Sequence, residues 1–225
     1  ALTRKELASI QDFYAKGDGI GLPMLLTGFN RRFAPAVLRM RELIGNRSNP
    51  MIMNYRMNAG YLGIDHWVHG KEGGGRNIGE ACHIYDLFTA LTNSQVENVH
   101  TETIRAATGH YRRQDNFTTT LTFRDGSLAT LTYTALGTSD YPKERLEVFV
   151  DGKVLFLDDY KRLSIAGATA KGVESAIAEK GQKQELESFA RAIREGGEWP
   201  IPLWQQAQAT EISFRVEDQI NPGWE

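Results

Sequence analysis

The spacing of hydrophobic residues changes along this chain from a helical to a strand-like period. In the first segment, apolar residues recur every three to four positions after a Thr3–Glu6 pair with capping-box spacing. This pattern predicts a helix that ends in a glycine-containing turn at residues 17–21. Residues 22–29 follow as a continuous apolar run, typical of a strand buried on both faces of a parallel sheet. One helix and one strand cannot form a sheet alone, so residues 1–30 are predicted to belong to a larger α/β unit.

The next part of the chain is predicted to contain a helix, a strand and a long loop. The helix covers about residues 34–43, where Pro35 is acceptable in the first turn, and the strand covers residues 51–59. Residues 60–75 form a loop that is rich in aromatic and imidazole side chains. Loops of this length usually bind something or are disordered, and the aromatic content favours binding.

After residue 95 the pattern switches to the two-residue alternation of β-strands. The predicted strands are Val96–Ala106, Phe117–Arg124, Ser127–Leu136, Glu144–Val150, Val154–Leu157 and Arg162–Ile165. Asp-Gly pairs at 125–126 and 151–152 predict tight hairpin turns, because glycine supplies the positive φ that these turns need. Apolar side chains lie on one face of these strands and threonines on the other, which predicts a sheet packed on helices at one side. The threonine face is expected to meet solvent or a partner subunit.

The C-terminal part is predicted to contain a surface loop and two helices. Residues 166–181 are small, polar and rich in glycine, and helices follow at about 183–195 and 203–220. The complete pattern predicts an α/β chain. Its main part, residues 31–225, is an α+β domain in which helices back a mostly antiparallel open sheet.

Composition and charge exclude several classes of protein. The 225 residues carry a net charge of −2 with interspersed signs, which argues against nucleic acid or an anionic membrane as a partner. The single cysteine, Cys82, permits no internal disulfide, so a reducing, cytoplasmic compartment is expected. No apolar run approaches the ~20 residues of a membrane span. The sequence begins at Ala1 without a methionine, as expected for the interior of a longer protein.

Residues 72–86 contain the strongest candidate for chemistry. A glycine run leads into an amphipathic helix that carries Glu80, His83 and Asp86 at three-residue spacing, so His83 is expected to contact both carboxylates. Imidazole titrates near neutral pH, and a flanking carboxylate tunes it, so proton transfer is one interpretation. The alternative is a hydrogen-bonded helix histidine without chemistry. The glycines do not match G-x-G-x-x-G, because Gly79 is one residue too far along and a polar loop precedes them.

The aromatic loop offers a second candidate site. Trp67 could present its ring face to a sugar while Asp65 and His66 bind hydroxyl groups, and a loop packed only for stability is the alternative. His66-x-x-His69 together with Glu80 could chelate a metal. Spacing in a loop is not fixed as it is on a helix, so we predict no metal site.

Several segments resemble the glucose–fructose oxidoreductase and inositol dehydrogenase family of nicotinamide-dependent sugar oxidoreductases. The similarity lies in residues 27–35, in the Gly73–Gly75 run followed by His83 and Asp86, and in the Pro-Ile-Pro sequence at 200–202. It extends over nearly the whole chain. Three further segments resemble the branch of this family that is fused behind a zinc-type alcohol dehydrogenase module and accompanies polysaccharide biosynthesis. These are Asn58–Gly60, Asp65–Trp67 and Pro142–Leu146.

The resemblance implies a two-domain enzyme of which this chain is the second half. Residues 1–30 would be the C-terminal end of a dinucleotide-binding Rossmann domain, and residues 31–225 a substrate-binding and oligomerisation domain. NAD or NADP would bind the full-length protein and not this fragment, because the family's glycine-rich loop and Glu-Lys-Pro motif are absent. The open sheet face would form a homo-oligomer.

The resemblance also implies roles for individual residues. His83 matches the family histidine that exchanges a proton with the substrate, whereas Gly79 occupies the family's acidic position and Glu80 follows it by one residue. On an α-helix that shift rotates a side chain by about 100°, so Glu80 cannot simply inherit the role. The complete set of candidate residues comprises His83 and Asp86 for catalysis; Asp65, His66, Trp67, Arg76 and Glu80 for substrate; and Asn30 and Arg32 for cofactor or phosphate.

The predicted function of the parent protein is a nicotinamide-dependent oxidation or reduction of a sugar, polyol or nucleotide-sugar. The fragment alone is expected to lack turnover. One alternative is a non-catalytic scaffold that dimerises through its open sheet. The other is a carbohydrate-binding module built on residues 65–69.

Overall fold

Helices cover one face of an eight-stranded sheet in residues 1–17 and 21–224, the part of the chain that this computed structural model describes. The α-helices are α1 (Arg4–Lys16), α2 (Pro35–Ile44), α3 (Cys82–Thr92), α4 (Gln182–Glu195) and α5 (Leu203–Ile220). The strands are β1 (Ile52–Asn58), β2 (Val96–Thr103), β3 (Asn116–Phe123), β4 (Leu128–Thr134), β5 (Glu144–Val150), β6 (Lys153–Asp158), β7 (Arg162–Ala166) and β8 (Val173–Glu174).

The sheet has the order β2-β3-β4-β1-β5-β6-β7-β8. Strand β1 runs parallel to β4 and antiparallel to β5, and every other neighbouring pair in the described sheet is antiparallel. The predicted mostly antiparallel open sheet is therefore confirmed. The predicted strands after residue 95 are all present, with ends that differ by a few residues. The short edge strand β8 was missed, because it lies inside the segment predicted as a loop.

The two faces of the sheet differ as the alternation predicts. On β3, Phe117, Leu121 and Phe123 are buried, whereas Thr118 is exposed. The buried face packs on α2, α3 and α5 in one continuous hydrophobic core. The Asp-Gly turns are also confirmed, since Gly126 and Gly152 adopt φ angles of 84° and 74°. The opposite face of the sheet carries the threonines and is open.

The N-terminal segment confirms one prediction and corrects another. Thr3 and Glu6 form the expected capping box of α1. Residues 22–29 form no strand, because their polar groups bind α5 instead of a neighbouring strand: Gln206 accepts from the Thr27 amide at 2.8 Å and donates to the Leu25 carbonyl at 3.1 Å. The predicted turn at 17–21 lies mostly outside the described residues, which omit 18–20.

Helix α3 is the most deeply buried helix of the domain. Its side chains from Ile84 to Thr92 are buried, and it packs against α5 as well as contributing to the core on the sheet. In the described residues no helix is long and apolar enough to cross a bilayer. The N-terminal end of α3 is where the candidate site lies.

Candidate active site

The glycine-rich segment leads into the helix that carries the candidate site. Gly74 and Gly75 adopt φ angles of 67° and 79°, in the left-handed region that glycine tolerates without steric cost. The helix begins at residues 75–76, passes through a π-helical stretch, Asn77–Ala81, and continues directly as α3. Such π-helical turns are frequent at functional sites. Here the π-helical stretch carries Glu80, and the first turn of α3 carries His83.

His83 is a mostly buried imidazole whose Nδ1 has no hydrogen-bond partner among the described residues. Its ring meets the ring of Phe29 edge-on, with the centroids 5.7 Å apart. Burial and the positive charge of Arg31 lower the pKa of His83 to about 4, although the carboxylates of Glu144 and Glu80 act in the opposite direction. The ring is therefore neutral near pH 7. A neutral imidazole always has one acceptor nitrogen, so His83 can take up a proton.

Glu80 is held ionised by three donors from different parts of the fold. Lys143 Nζ lies 2.8 Å from Glu80 Oε1, Arg76 Nη2 lies 3.1 Å from Oε2, and the Tyr133 hydroxyl also donates to Oε2. Burial opposes the charge, but the hydrogen bonds from Lys143 and Tyr133 and the nearby positive charges lower the pKa of Glu80 to about 2. Glu80 is thus a fixed negative charge close to His83.

Position 79, where the resemblance would place a carboxylate, has no room for a side chain. A Cβ atom at Gly79 would lie 2.7 Å from the Gly73 carbonyl oxygen, closer than side chains tolerate against backbone. Position 79 is therefore closed to an aspartate in this chain. Glu80, the next residue, supplies the carboxylate from within the π-helical stretch.

A second buried charge cluster lies close enough to His83 to change its pKa. Arg31 Nε binds Glu144 Oε2 at 2.8 Å and Arg31 Nη2 lies 3.3 Å from Oε1, while Lys180 and the Tyr55 hydroxyl also donate to Glu144. Burial opposes ionisation of Glu144, but the charge and hydrogen bonds of Arg31 outweigh it and lower its pKa to about 2. The positive charges of Arg31 and Lys180 and the negative charge of Glu144 thus lie close to the neutral His83 ring.

Asp86 forms a closed ion pair instead of contacting His83. It is fully buried, and Arg32 binds its two oxygens at 2.6 and 2.9 Å while also donating to Gln205 Oε1 at 2.5 Å. Burial raises the pKa of Asp86 to about 6, and the charge of Arg32 limits that rise. This geometry corrects the expected His83–Asp86 contact. Asp86 anchors α3, and its predicted catalytic role has no support here.

Asn30 and Arg32, the two predicted cofactor contacts, bind other groups of this chain. Asn30 is 6% exposed, and its side-chain amide donates to the Lys180 carbonyl at 2.7 Å. Arg32 is 4% exposed and is occupied by Asp86 and Gln205. These side chains, as placed, do not fit the phosphates of a dinucleotide. The structure thus argues against the predicted cofactor role of Asn30 and Arg32.

The aromatic loop stands apart from Glu80 and His83, between which the described residues form no hydrogen bond or ion pair, so the predicted His83–Glu80 contact is also absent. Asp65, His66 and Trp67 are exposed, and no hydrogen bond or ion pair in the described residues joins them to Glu80 or His83. His66 Nδ1 instead accepts a hydrogen bond from the Val68 amide at 3.3 Å and so caps a short 3-10 turn. Within the described residues no group of three or more His, Cys, Asp or Glu side chains could hold a metal ion.

Lys143 and Tyr133 belong to the site but were missed as candidates. They lie 63 and 53 residues from Glu80 along the chain, and the sheet brings them next to it. Lys143 lies within the segment 142–146, which carried part of the family resemblance, so a signal was present. Arg76 is predicted as a substrate contact, and that role stays a prediction; in the structure its Nη2 donates to Glu80 Oε2.

The comparisons with known proteins agree with this architecture. Residues 38–155, more than half of the chain, match the family model described as the GFO/IDH/MocA C-terminal domain. Among solved structures, UDP-N-acetylglucosamine 3-dehydrogenase GnnA from Acidithiobacillus ferrooxidans is similar with a TM-score of 0.77 and 17% identity, over 100% of this chain and 69% of that chain. No protein of curated function matches the sequence.

Two further structures have the same fold. A myo-inositol dehydrogenase from Corynebacterium glutamicum has a TM-score of 0.73 and 20% identity, over 99% of this chain and 68% of that chain. An NAD binding oxidoreductase from Klebsiella pneumoniae has a TM-score of 0.78 and 12% identity, over 98% of this chain and 69% of that chain. At these identities the likeness establishes the fold.

The packing of Gly79 predicts an unusual response to alanine. A Gly→Ala change inside a helix ordinarily stabilises by about 1 kcal/mol. Gly79→Ala is expected instead to lower the free energy of unfolding by about 1–3 kcal/mol, because its Cβ would collide with the Gly73 carbonyl. Urea denaturation measures this. Gly109→Ala, whose Cβ meets open space, should change stability by less than about 0.5 kcal/mol. An increase in stability for Gly79→Ala would contradict the close approach.

The environment of His83 predicts an acidic titration midpoint. Because folding lowers its pKa from 6.5 to about 4, His83 stays neutral in the native protein down to that pH. Folding stability is therefore lost as pH falls from about 6.5 towards 4, where the unfolded chain binds the proton first. NMR titration of the imidazole signals tests this, with His83→Gln identifying the resonance. A midpoint near the ordinary value would contradict it.

Proposed function

Because the chain belongs to the GFO/IDH/MocA C-terminal domain family, we propose that it forms the substrate-binding and oligomerisation part of a nicotinamide-dependent oxidoreductase. The substrate class is a sugar, polyol or nucleotide-sugar. The observation that carries the proposal is His83, a neutral, mostly buried imidazole beside an ionised carboxylate. A neutral imidazole can accept the proton of a substrate hydroxyl oxygen as the carbonyl forms.

His83 would move the proton of the reacting hydroxyl. During oxidation of an alcohol, the neutral ring accepts the hydroxyl proton as the carbonyl forms, and during reduction the imidazolium returns it. The carboxylates of Glu144 and Glu80 stabilise the imidazolium, whereas Arg31 and Lys180 destabilise it. Burial and the positive charge of Arg31 favour release of the proton after each turnover.

Substrate would lie near the Glu80–Lys143 pair. Lys143 is partly exposed and borders a cavity of about 470 Å³ that is also lined by Asn58 and Lys161. Tyr141 and Asp159 add a phenol and a carboxylate side chain to the lining of this cavity. Donors and acceptors together suit a polyhydroxylated ligand.

The cofactor, NAD or NADP, would supply the hydride acceptor or donor and would be held by another part of the full-length protein. The described side chains proposed for it, Asn30 and Arg32, are satisfied internally. Residues 1–30 are proposed to be the end of that nucleotide-binding domain. This chain alone is expected to have no turnover.

The open sheet face is proposed to form a homo-oligomer. Ile52 pairs in register with Leu128 on β4 and with Phe149 on β5, and all three apolar side chains are 39–49% exposed. Adjacent exposed apolar side chains on a sheet favour association.

The resemblance of the sequence alone supports three further proposals. These are a cytoplasmic location, a role in polysaccharide biosynthesis, and a zinc-type alcohol dehydrogenase module in the same protein.

Replacing His83 tests the catalytic proposal in the full-length enzyme. His83→Ala is expected to lower kcat by about 10²–10⁴-fold with little change in KM, because proton transfer is lost and substrate contacts remain. His100→Ala, an exposed histidine on β2, serves as the control. Retained turnover would overturn the catalytic role. Loss of oligomers with normal turnover would instead favour the scaffold alternative, and sugar binding abolished only by Trp67→Ala would favour the binding module.

The oligomer proposal has its own test. Ile52→Lys places a charge in the apolar patch and should shift the chain to monomer in analytical ultracentrifugation. Ile177→Lys adds the same charge at a site 69% exposed and off the sheet, so its mass should be unchanged. A monomeric unsubstituted chain, or an Ile52→Lys oligomer of the same size, would contradict the proposed interface.

A further inference from the structure

Helix α4 is attached to the rest of the domain mainly through its first turn. It packs on the 3-10 turn Asn30–Phe33. Within α4, whose residues the structure describes completely, Glu185 is the only buried side chain, whereas Leu186 and Ile193 are 63% and 60% exposed. Elements that bury few apolar groups open locally at a low cost in free energy. The contacts at the start of α4 therefore decide whether this helix stays in place.

The residues just before α4 connect it to the surroundings of His83. Gly181 has a φ angle of 88°, and a Cβ atom there would lie 2.4 Å from the Asn30 carbonyl oxygen, so the two backbones are in close contact. The Lys180 carbonyl accepts from the Asn30 amide at 2.7 Å, and Lys180 Nζ donates to Glu144. The positive charge of Lys180 lowers the pKa of His83. A movement of the α4 start would therefore change the charges around His83.

Glu185 is a buried carboxyl group whose neighbouring cation is already occupied. It is 5% exposed, and its Oε1 has no hydrogen-bond partner among the described residues. The charged groups that face it are Arg32 of the 3-10 turn and Asp86 of α3. Arg32 donates to both oxygens of Asp86 and to Gln205 of α5. One guanidinium thus lies near two buried carboxyl groups and is hydrogen-bonded to Asp86.

The protonated and ionised forms of Glu185 differ in how well they tolerate this position. Burial and the negative charge of Asp86 raise the pKa of Glu185 to about 7, although the charge of Arg32 and the start of a helix favour the ionised form. The neutral carboxyl group tolerates burial. The carboxylate loses hydration there without a hydrogen bond to Oε1 in return, so ionisation favours movement of Glu185 towards solvent.

We propose that Glu185 is a proton-dependent switch that holds the start of α4, and Lys180 with it, against the turn Asn30–Phe33. With the proton bound, α4 is docked and Lys180 binds Glu144. When Glu185 releases its proton to water, docking weakens and Lys180 leaves Glu144. Because the charge of Lys180 opposes an imidazolium, its displacement favours protonation of His83. The effect on catalysis rests on the function proposed for His83, whereas the opening of α4 does not.

Hydrogen exchange of the α4 amides, followed by NMR in this chain at pH 5.5 and 8.5, tests the opening. Glu185→Gln keeps the shape of the neutral carboxyl group and cannot ionise. The protection of α4 in this variant, relative to the unsubstituted chain, should increase at least 10-fold between the two pH values. Asp86 titrates in the same range, but its contribution is present in both chains and cancels in this ratio. Glu187→Gln, at an exposed position of α4, should behave as the unsubstituted chain does.

The ring signals of His83 test the connection to Lys180 without any measurement of turnover. His83 stays neutral near pH 7, yet its signals should show a small transition with a midpoint near 7 as Lys180 moves. Glu185→Gln should remove this transition, and Glu187→Gln should retain it. An inactive full-length enzyme would contradict the proposed function of His83 and leave these two readouts unchanged.

Three results would overturn the proposal. The first is equal protection of α4 in Glu185→Gln and the unsubstituted chain at both pH values, which would make Glu185 a structural carboxyl group only. The second is an equal response in Glu187→Gln, which would assign the effect to the general charge of the helix. The third is a pH-dependent opening of α4 without any response of the His83 signals, which would separate the helix from the site. If Glu185→Gln does not fold, a loss of α4 protection between pH 5.5 and 8.5 in the unsubstituted chain, with α5 unchanged, carries the test.

Discussion

Two adjacent arginines bind two buried carboxylates, and these ion pairs fix the surroundings of His83. Arg31 and Arg32 lie in the 3-10 turn Asn30–Phe33, before α2. Arg31 binds Glu144 at the start of β5, and Arg32 binds Asp86 within α3. One short turn therefore connects a strand to the helix that carries His83. Removing one member of a buried pair typically costs about 3–5 kcal/mol, since the other charge is left uncompensated.

The same ion pairs determine what His83 can do. Burial and the positive charge of Arg31 keep the ring neutral, and two ionised carboxylates lie close enough to oppose that effect. Glu80 is itself held in its ionised form by ion pairs with Lys143 and Arg76. The mostly buried ring thus lies among charges of both signs, where a change in substrate charge affects the proton more strongly than it would in water. Proton transfer from this position would therefore respond to the substrate that is bound.

Local pattern was sufficient to predict the β-rich half of the chain and both C-terminal helices. The alternation of strands and the Asp-Gly turns depend only on residues that are close in sequence. They can therefore be predicted without knowledge of long-range contacts. Residues 22–29 were misassigned for the same reason: an apolar run indicates burial, but only Gln206 of α5 reveals that no neighbouring strand pairs with it. The structure of the loop 60–75 was likewise not readable from spacing.

The site itself depended on contacts between distant residues. His83 was identified from its helix and the family resemblance, but Arg32 and Asp86 are 54 residues apart and Arg31 and Glu144 are 113 residues apart. No spacing rule links such pairs. The sequence therefore indicated a cofactor or phosphate as the partner of Arg32, whereas the structure shows Asp86. Gly79 was recognised as a departure from the family pattern. Its close approach to the Gly73 carbonyl required coordinates.

Chemical rescue of the His83→Ala full-length enzyme by imidazole tests the central claim most directly. If His83 carries the substrate proton, added imidazole should restore a saturable part of kcat, and substituted imidazoles should do so according to their basicity. Imidazole should have no such effect on Glu80→Gln, where the proton-transfer ring is intact. Absence of rescue in an enzyme that still binds substrate, or rescue independent of basicity, would contradict the assignment of His83 as the proton-transfer residue.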